Sequence, residues 1–226
     1  MGILGKLFGK KGHDQRTQLE ATLDKLTPGF MREQSHKLPN DLKVPYAQAM
    51  SVLLFAQLFA RSLRTLAREL PESARPERPY PYDAVLVEAA AFYYFSLMAQ
   101  FQHDDDDLDE DADESIDPYF ATLRRSLHLC AKIVSEISNT PRFRTLMPAH
   151  VTAYRSTSSG MVSSVTEKLT DFILRAWNPE KNARPSLELA GFALSVQACL
   201  GTTSVAQVSE SCRGLYDEKC RNPNAF

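Results

Sequence analysis

The densest group of chemically active side chains is a run of nine acids between His103 and Ser115. Its members are Asp104, Asp105, Asp106, Asp107, Asp109, Glu110, Asp111, Asp113 and Glu114. Carboxylates this close together repel one another and are costly to bury, so we expect a solvated acidic loop over residues 103–116. Such a loop attracts basic surfaces and speeds their encounter. The run therefore predicts a binding surface for a basic protein partner.

Alternating aspartates also suggest a calcium loop, which needs glycine at its sixth position and glutamate at its twelfth. Counted from Asp105, those positions hold Glu110 and Ile116, and a start two residues later fails in the same way. We therefore predict no dedicated metal site here and no cofactor.

The dipeptide His103-Asp104 resembles the signature pair of helical metal-dependent phosphohydrolases. Those enzymes need more histidine and aspartate ligands on neighbouring helices, because a metal takes ligands from several directions. The nearest upstream histidine is His36, which lies outside any well-patterned helix. We favour an acidic loop that begins with histidine, and a helical metal-dependent hydrolase stays as the alternative.

Glu88 and His150 are two titratable residues whose helical neighbours are apolar. A buried acid needs a partner or a raised pKa, so a cleft holding both residues would suit acid–base chemistry. The alternative is structural: Glu88 forms a buried ion pair with Arg61 or Arg64, and His150 is a hydrogen-bonded core histidine. We favour the structural alternative, because ion pairs perturb pKa values as active sites do.

Established catalytic and nucleotide-binding signatures are missing from the sequence: it has no G-x-x-x-x-G-K-[ST], G-x-G-x-x-G, H-E-x-x-H or G-x-S-x-G. Its basic residues are scattered, apart from a cluster that would suit either phosphate or the acidic run, formed by Arg61, Arg64, Arg68, Arg75 and Arg78. We predict no specific nucleic-acid binding and, on balance, no enzyme.

Residues 1–11 carry a small basic amphipathic pattern, with four large apolar residues among three lysines. Four glycines up to Gly12 weaken any helix there, so we favour a flexible basic segment over residues 1–12. Contact with a membrane surface, as in a peripheral membrane adaptor, is the alternative. The segment lacks the continuous apolar stretch of a secretory signal, which favours a cytoplasmic protein.

Overall composition is that of an ordinary globular chain of 226 residues, 43% hydrophobic and 24% charged, with net charge −2. Without the nine acids, 26 basic residues face 28 − 9 = 19 acidic ones, a balance of +7. The four cysteines show no C-x-x-C spacing, so we expect them to be reduced.

Apolar residues recur at helical spacing along most of the chain, and prolines separate the segments. The pattern predicts an all-α, single-domain bundle of seven or eight helices with no strand. Ala84–Phe101 is the most apolar segment and the expected centre of the core. Predicted starts are His13, Pro45, Asp83, Asp117-Pro118, Thr140-Pro141, Val162, Pro185 and a capping box at Ser204 and Gln207.

The predicted domain organisation is a helical domain over residues 13–214, in which the acidic loop is inserted, and a C-terminal tail over residues 215–226. Gly201 is expected to end the penultimate helix and Gly214 to lie near the end of the last one. By elimination the favoured function is a regulatory or neutralising interaction protein, by analogy with bacterial immunity proteins. The sequence assigns no oligomeric state.

Overall fold

A computed structural model describes residues 16–26, 33–34, 36–69, 79–100, 117–156, 162–177 and 187–222. These residues form one short helix and seven longer ones, with no strand among them, which confirms the all-α bundle. The helices are α1 (Gln18–Leu23), α2 (Asn40–Glu69), α3 (Tyr82–Ala99), α4 (Pro118–Ile137), α5 (Phe143–Arg155), α6 (Val162–Trp177), α7 (Leu187–Thr202) and α8 (Val205–Arg221).

The core lies around α2 and α3. Helix α3 packs against α1, α2, α4, α5, α6 and α8, and α2 against α1, α3, α4, α7 and α8. Fourteen of the 18 residues of α3 are buried, because apolar side chains cover all its faces and neighbours surround it. The most apolar predicted segment is therefore the centre of the bundle.

Two predicted helix starts are present as predicted. The Asp117 side chain accepts a hydrogen bond from the backbone N–H of Tyr119 at 2.8 Å, with Pro118 at the first helical position. Ser204 and Gln207 form a reciprocal capping box at the start of α8.

Two other starts are placed differently. Helix α2 begins at Asn40, so Pro45 lies inside it and removes one backbone hydrogen bond rather than opening the helix. Helix α3 begins at Tyr82 after Pro81, so Asp83 lies in the first turn and does not cap it. An acid there still interacts favourably with the positive end of the helix dipole.

The first and fifth helices are also displaced from their predicted limits. Helix α1 is shorter than predicted, because Thr17 caps it and a turn at Asp24 follows it. The Thr140-Pro141 pair forms a turn, and α5 begins at Phe143.

The predicted C-terminal boundaries are wrong. Gly201 lies inside α7, and α8 continues past Gly214 to Arg221, so residues 215–221 are helix rather than tail. Tyr216 explains the extension: its ring lies 5.3 Å from that of Tyr119, which anchors the second half of α8 to α4. An exposed glycine weakens a helix by about 1 kcal/mol, which such packing offsets.

Among the described residues, one helix, α2, is long and apolar enough to cross a membrane. Its most apolar stretch is 67% buried against other helices. Such burial is typical of the core helix of a soluble protein.

Candidate functional site

The nine acids of the run and the basic segment 1–12 lie outside the described residues. What the structure gives is the position of the run's two flanks. Gln100 caps the C-terminal end of α3, and Asp117 caps the N-terminal end of α4. Both helices belong to the core, so the two described residues that flank the run lie at the ends of core helices.

Glu88 on α3 and His150 on α5 meet directly. The His150 Nδ1 atom lies 2.7 Å from one carboxylate oxygen of Glu88 and 2.8 Å from the other. An ionised carboxylate only accepts hydrogen bonds, so Nδ1–H is the donor. The side chain of Glu88 is 4% exposed and that of His150 is 18% exposed, so the histidine is the partner more accessible to water.

Aromatic rings enclose this pair. The His150 ring stacks on Phe172 of α6, with ring centroids 4.3 Å apart and an angle of 13° between the planes. Tyr154, one turn along α5, makes edge contacts with Phe92 and Phe172. Burial, together with the Glu88 charge, raises the pKa of the Tyr154 hydroxyl well above its ordinary value. The Tyr154 hydroxyl is therefore neutral, and its ring lines the site.

Burial also controls the titration of Glu88. It raises the pKa of the carboxyl above the ordinary 4.5, and the hydrogen bond and charge of His150 offset part of that rise. A carboxylate that orients a histidine through Nδ1 is one half of the arrangement that makes the opposite ring nitrogen, Nε2, a base. The geometry thus suits either proton transfer at Nε2 or an inert bond between α3 and α5.

The expected pairing of Glu88 with Arg61 or Arg64 is wrong. Arg64 donates two hydrogen bonds to Glu20, at 2.8 and 3.0 Å, and Arg61 contacts both Glu20 and Asp24. These arginines lie on the face of α2 that packs against α1. Glu20, only 1% exposed, was missed because the sequence gives α1 a single apolar stripe and does not mark the acid beside it as buried.

A basic pocket of about 400 Å³ also escaped sequence analysis. It lies where α4 meets the beginnings of α2 and α5, lined by Asp41, Leu42, Arg125, His128, Leu129, Lys132 and Arg144. The sequence does contain a signal for three of these residues, because positions 125, 128 and 132 are three and four residues apart and share one helix face. Arg144 joins these side chains only through the fold.

In the described part of the chain, no three His, Cys, Asp or Glu side chains converge as metal ligands. A metal centre that used Glu88 and His150 would need further ligands such as His103 and Asp104, which lie outside the described residues.

The fold defines an all-α helical bundle with a buried acid–histidine pair. Comparison with known proteins gave no match to any family model, curated protein or solved structure.

Proposed function

We propose that this chain is a cytoplasmic regulatory or neutralising protein that binds a basic protein partner through its nine-acid run, in the manner of a bacterial immunity protein. The concentration of negative charge carries the proposal. One short segment holds nine of the 28 acids, and the rest of the chain has a basic excess. A partner with a basic surface is therefore attracted to one place on the molecule.

The attachment of the run supports this role. In the sequence, the run lies between two core helices that are capped by Gln100 and Asp117. Charge held near one place raises the rate of oriented encounter more than it raises affinity. Neighbouring bundle surface would then supply the shorter-range contacts.

Association kinetics with a partner test the proposal. The partner is first captured from the source cells and purified, and its association rate is then measured at low and high salt. Replacing Asp104, Asp105, Asp106 and Asp107 with serine should slow association at low salt by roughly tenfold, within the range that steering supplies. The deficit should shrink at high salt, because screening weakens attraction in the wild type too.

A matched control removes four exposed acids elsewhere: Glu136, Glu167, Asp171 and Glu210, changed to Gln or Asn. It has the same net charge as the serine variant and should associate at close to the wild-type rate. An equal loss in the control, or an unchanged rate in the serine variant, would contradict the proposal.

The Glu88–His150 hydrogen bond favours a second candidate, a helical metal-dependent hydrolase. In that role Glu88 orients the ring, and Nε2 of His150 exchanges a proton with water or substrate. Metal analysis of the purified protein and hydrolysis of a simple phosphomonoester test it. Activity that disappears in His150→Phe and survives in the control variant at Glu136, Glu167, Asp171 and Glu210 would favour the hydrolase over the interaction protein.

A further inference from the structure

A pocket with four basic side chains shares no lining residue with the acidic run or with the Glu88–His150 pair. Arg125, His128 and Lys132 project from α4, and Arg144 approaches from the beginning of α5. Leu42 and Leu129 are half-buried and give the pocket an apolar part. At about 400 Å³, it falls within the usual range for small-molecule sites.

The charge balance of the lining favours an anion. Three side chains are permanently cationic near neutral pH, His128 adds a fourth nitrogen donor, and Asp41 is the single acid. Asp41 does not neutralise the site strongly. It lies 3.9 Å from Arg125, beyond hydrogen-bond distance, and both side chains are more than 60% exposed.

The cations of this pocket are less engaged with acidic side chains than Arg64 and Arg175 are. Lys132 lies 3.9 Å from Glu136, and within the described ranges Arg144 has no ion pair. By contrast, Arg64 holds Glu20 in a two-pronged hydrogen bond, and Arg175 lies 2.9 Å from Asp171. The donors of the pocket are therefore available to an external ligand.

We propose that this pocket binds a small ligand that carries a phosphate group and an apolar moiety. Two guanidinium groups offer paired N–H donors that match phosphate oxygens, and the ammonium of Lys132 adds a point charge. The apolar moiety packs on Leu42 and Leu129. The site does not depend on the acidic run, so it stands whether or not the proposed partner binding is correct.

Titration with phenyl phosphate at low ionic strength tests the site, by calorimetry and by the NMR shifts of the His128 ring. The wild type should bind saturably, with the His128 signals moving along the same curve. Lys132→Gln/Arg144→Gln should bind at least about tenfold more weakly, because each lost charged hydrogen bond is worth about a tenfold change or more. These side chains are exposed, so the variant should keep its helical circular dichroism.

A charge-matched control, Arg175→Gln/Arg213→Gln, removes two exposed arginines that pair with carboxylates of their own helices. It should bind phenyl phosphate like the wild type. No saturable binding to phenyl phosphate or vesicles, an equal loss in the control, or benzoate binding as tight as phenyl phosphate would each overturn the proposal. Benzoate distinguishes a phosphate site from a general anion site.

Two further probes identify the source of the phosphate. Capture by vesicles that contain phosphatidic acid, lost in Lys132→Gln/Arg144→Gln, supports the site and assigns the phosphate to a lipid headgroup. Tighter binding of a duplex oligonucleotide, with the same dependence on Lys132 and Arg144, would overturn the small-ligand proposal in favour of a nucleic-acid surface.

Discussion

A single nitrogen of His150, Nδ1, faces both carboxylate oxygens of Glu88, at 2.7 and 2.8 Å. The two partners differ in exposure, with side chains 18% and 4% exposed. A histidine that loses its partner keeps contact with water. The unpaired carboxylate would remain charged in a nearly dry site. Loss of His150 should therefore lower the free energy of unfolding more than loss of the Glu88 charge.

We expect His150→Phe to lower the free energy of unfolding by about 3–5 kcal/mol at neutral pH, because it leaves the Glu88 charge unmatched. The new ring preserves the stack on Phe172, which separates the lost hydrogen bond from lost packing. Glu88→Gln should cost only about 1 kcal/mol, since the amide oxygen still accepts from Nδ1–H. Urea unfolding measures both changes.

The double variant His150→Phe/Glu88→Gln provides the check on this asymmetry. It removes the buried charge and should be more stable than His150→Phe alone. If the two substitutions simply add, the carboxylate is not destabilised by the loss of His150, and the pair makes no energetic contribution of this kind.

The titration of Glu88 predicts a pH dependence with a definite sign. Burial raises its pKa in the folded state, so between 4.5 and that raised value the folded state binds the proton more tightly than the unfolded chain. Protonation therefore stabilises the fold at low pH, and this stabilisation is lost as pH rises through the raised pKa. The comparison is made between His150→Phe and His150→Phe/Glu88→Gln, because neither variant has a histidine at position 150.

The stability of His150→Phe relative to the double variant should fall as pH rises above 4.5 and level off above the raised pKa. Urea unfolding at a series of pH values measures this difference. Parallel stability profiles for the two proteins would show that the carboxyl titrates normally in the folded state.

Local sequence signals predicted much of the fold, whereas they could not predict which side chains of different helices contact one another. Asp117 and Ser204 were identified as caps because capping depends on residues within one turn. The end of α8 was misplaced because a contact with Tyr119 outweighs the weak helix preference of Gly214. Fold class follows from periodicity, but helix ends follow from packing.

The same limit applies to the candidate site. Spacing alone marked Glu88 and His150 as polar residues on apolar faces. It could not say that they meet, because residues 62 positions apart are brought together only by the packing of α3 on α5. Likewise, Arg64 selects Glu20 over Glu88 because α1 packs on its face of α2.

The buried pair of Glu20 and Arg64 gives a third prediction. Among the described residues, Arg64→Met leaves the carboxylate with only the longer contact to Arg61, at 3.4 Å, and should cost about 3–5 kcal/mol in unfolding free energy. Arg64→Met/Glu20→Leu should recover most of that loss, since an apolar replacement removes the buried charge. Thermal and urea unfolding measure both variants.

An exposed ion pair serves as the control for this experiment. Arg175, whose side chain is 72% exposed, lies 2.9 Å from Asp171, and Arg175→Met should change stability by less than about 1 kcal/mol. If Arg64→Met costs no more than this control, burial does not make the Glu20 pair important for stability.

Thiol reactivity gives the last prediction. Cys130, Cys199 and Cys212 are buried, and burial raises the pKa of Cys199 to about 11 and that of Cys212 to about 12; the pKa of Cys130 is raised as well. Because the thiolate is the nucleophile, these three should react slowly with DTNB near about pH 8, whereas the exposed Cys220 should react at once. In the native protein, one of the four thiols should therefore react rapidly with DTNB, and unfolding in urea should make the other three react rapidly as well. In Cys220→Ser the fast phase should disappear, and two or more fast thiols in that variant would show that the helices around the buried cysteines open readily.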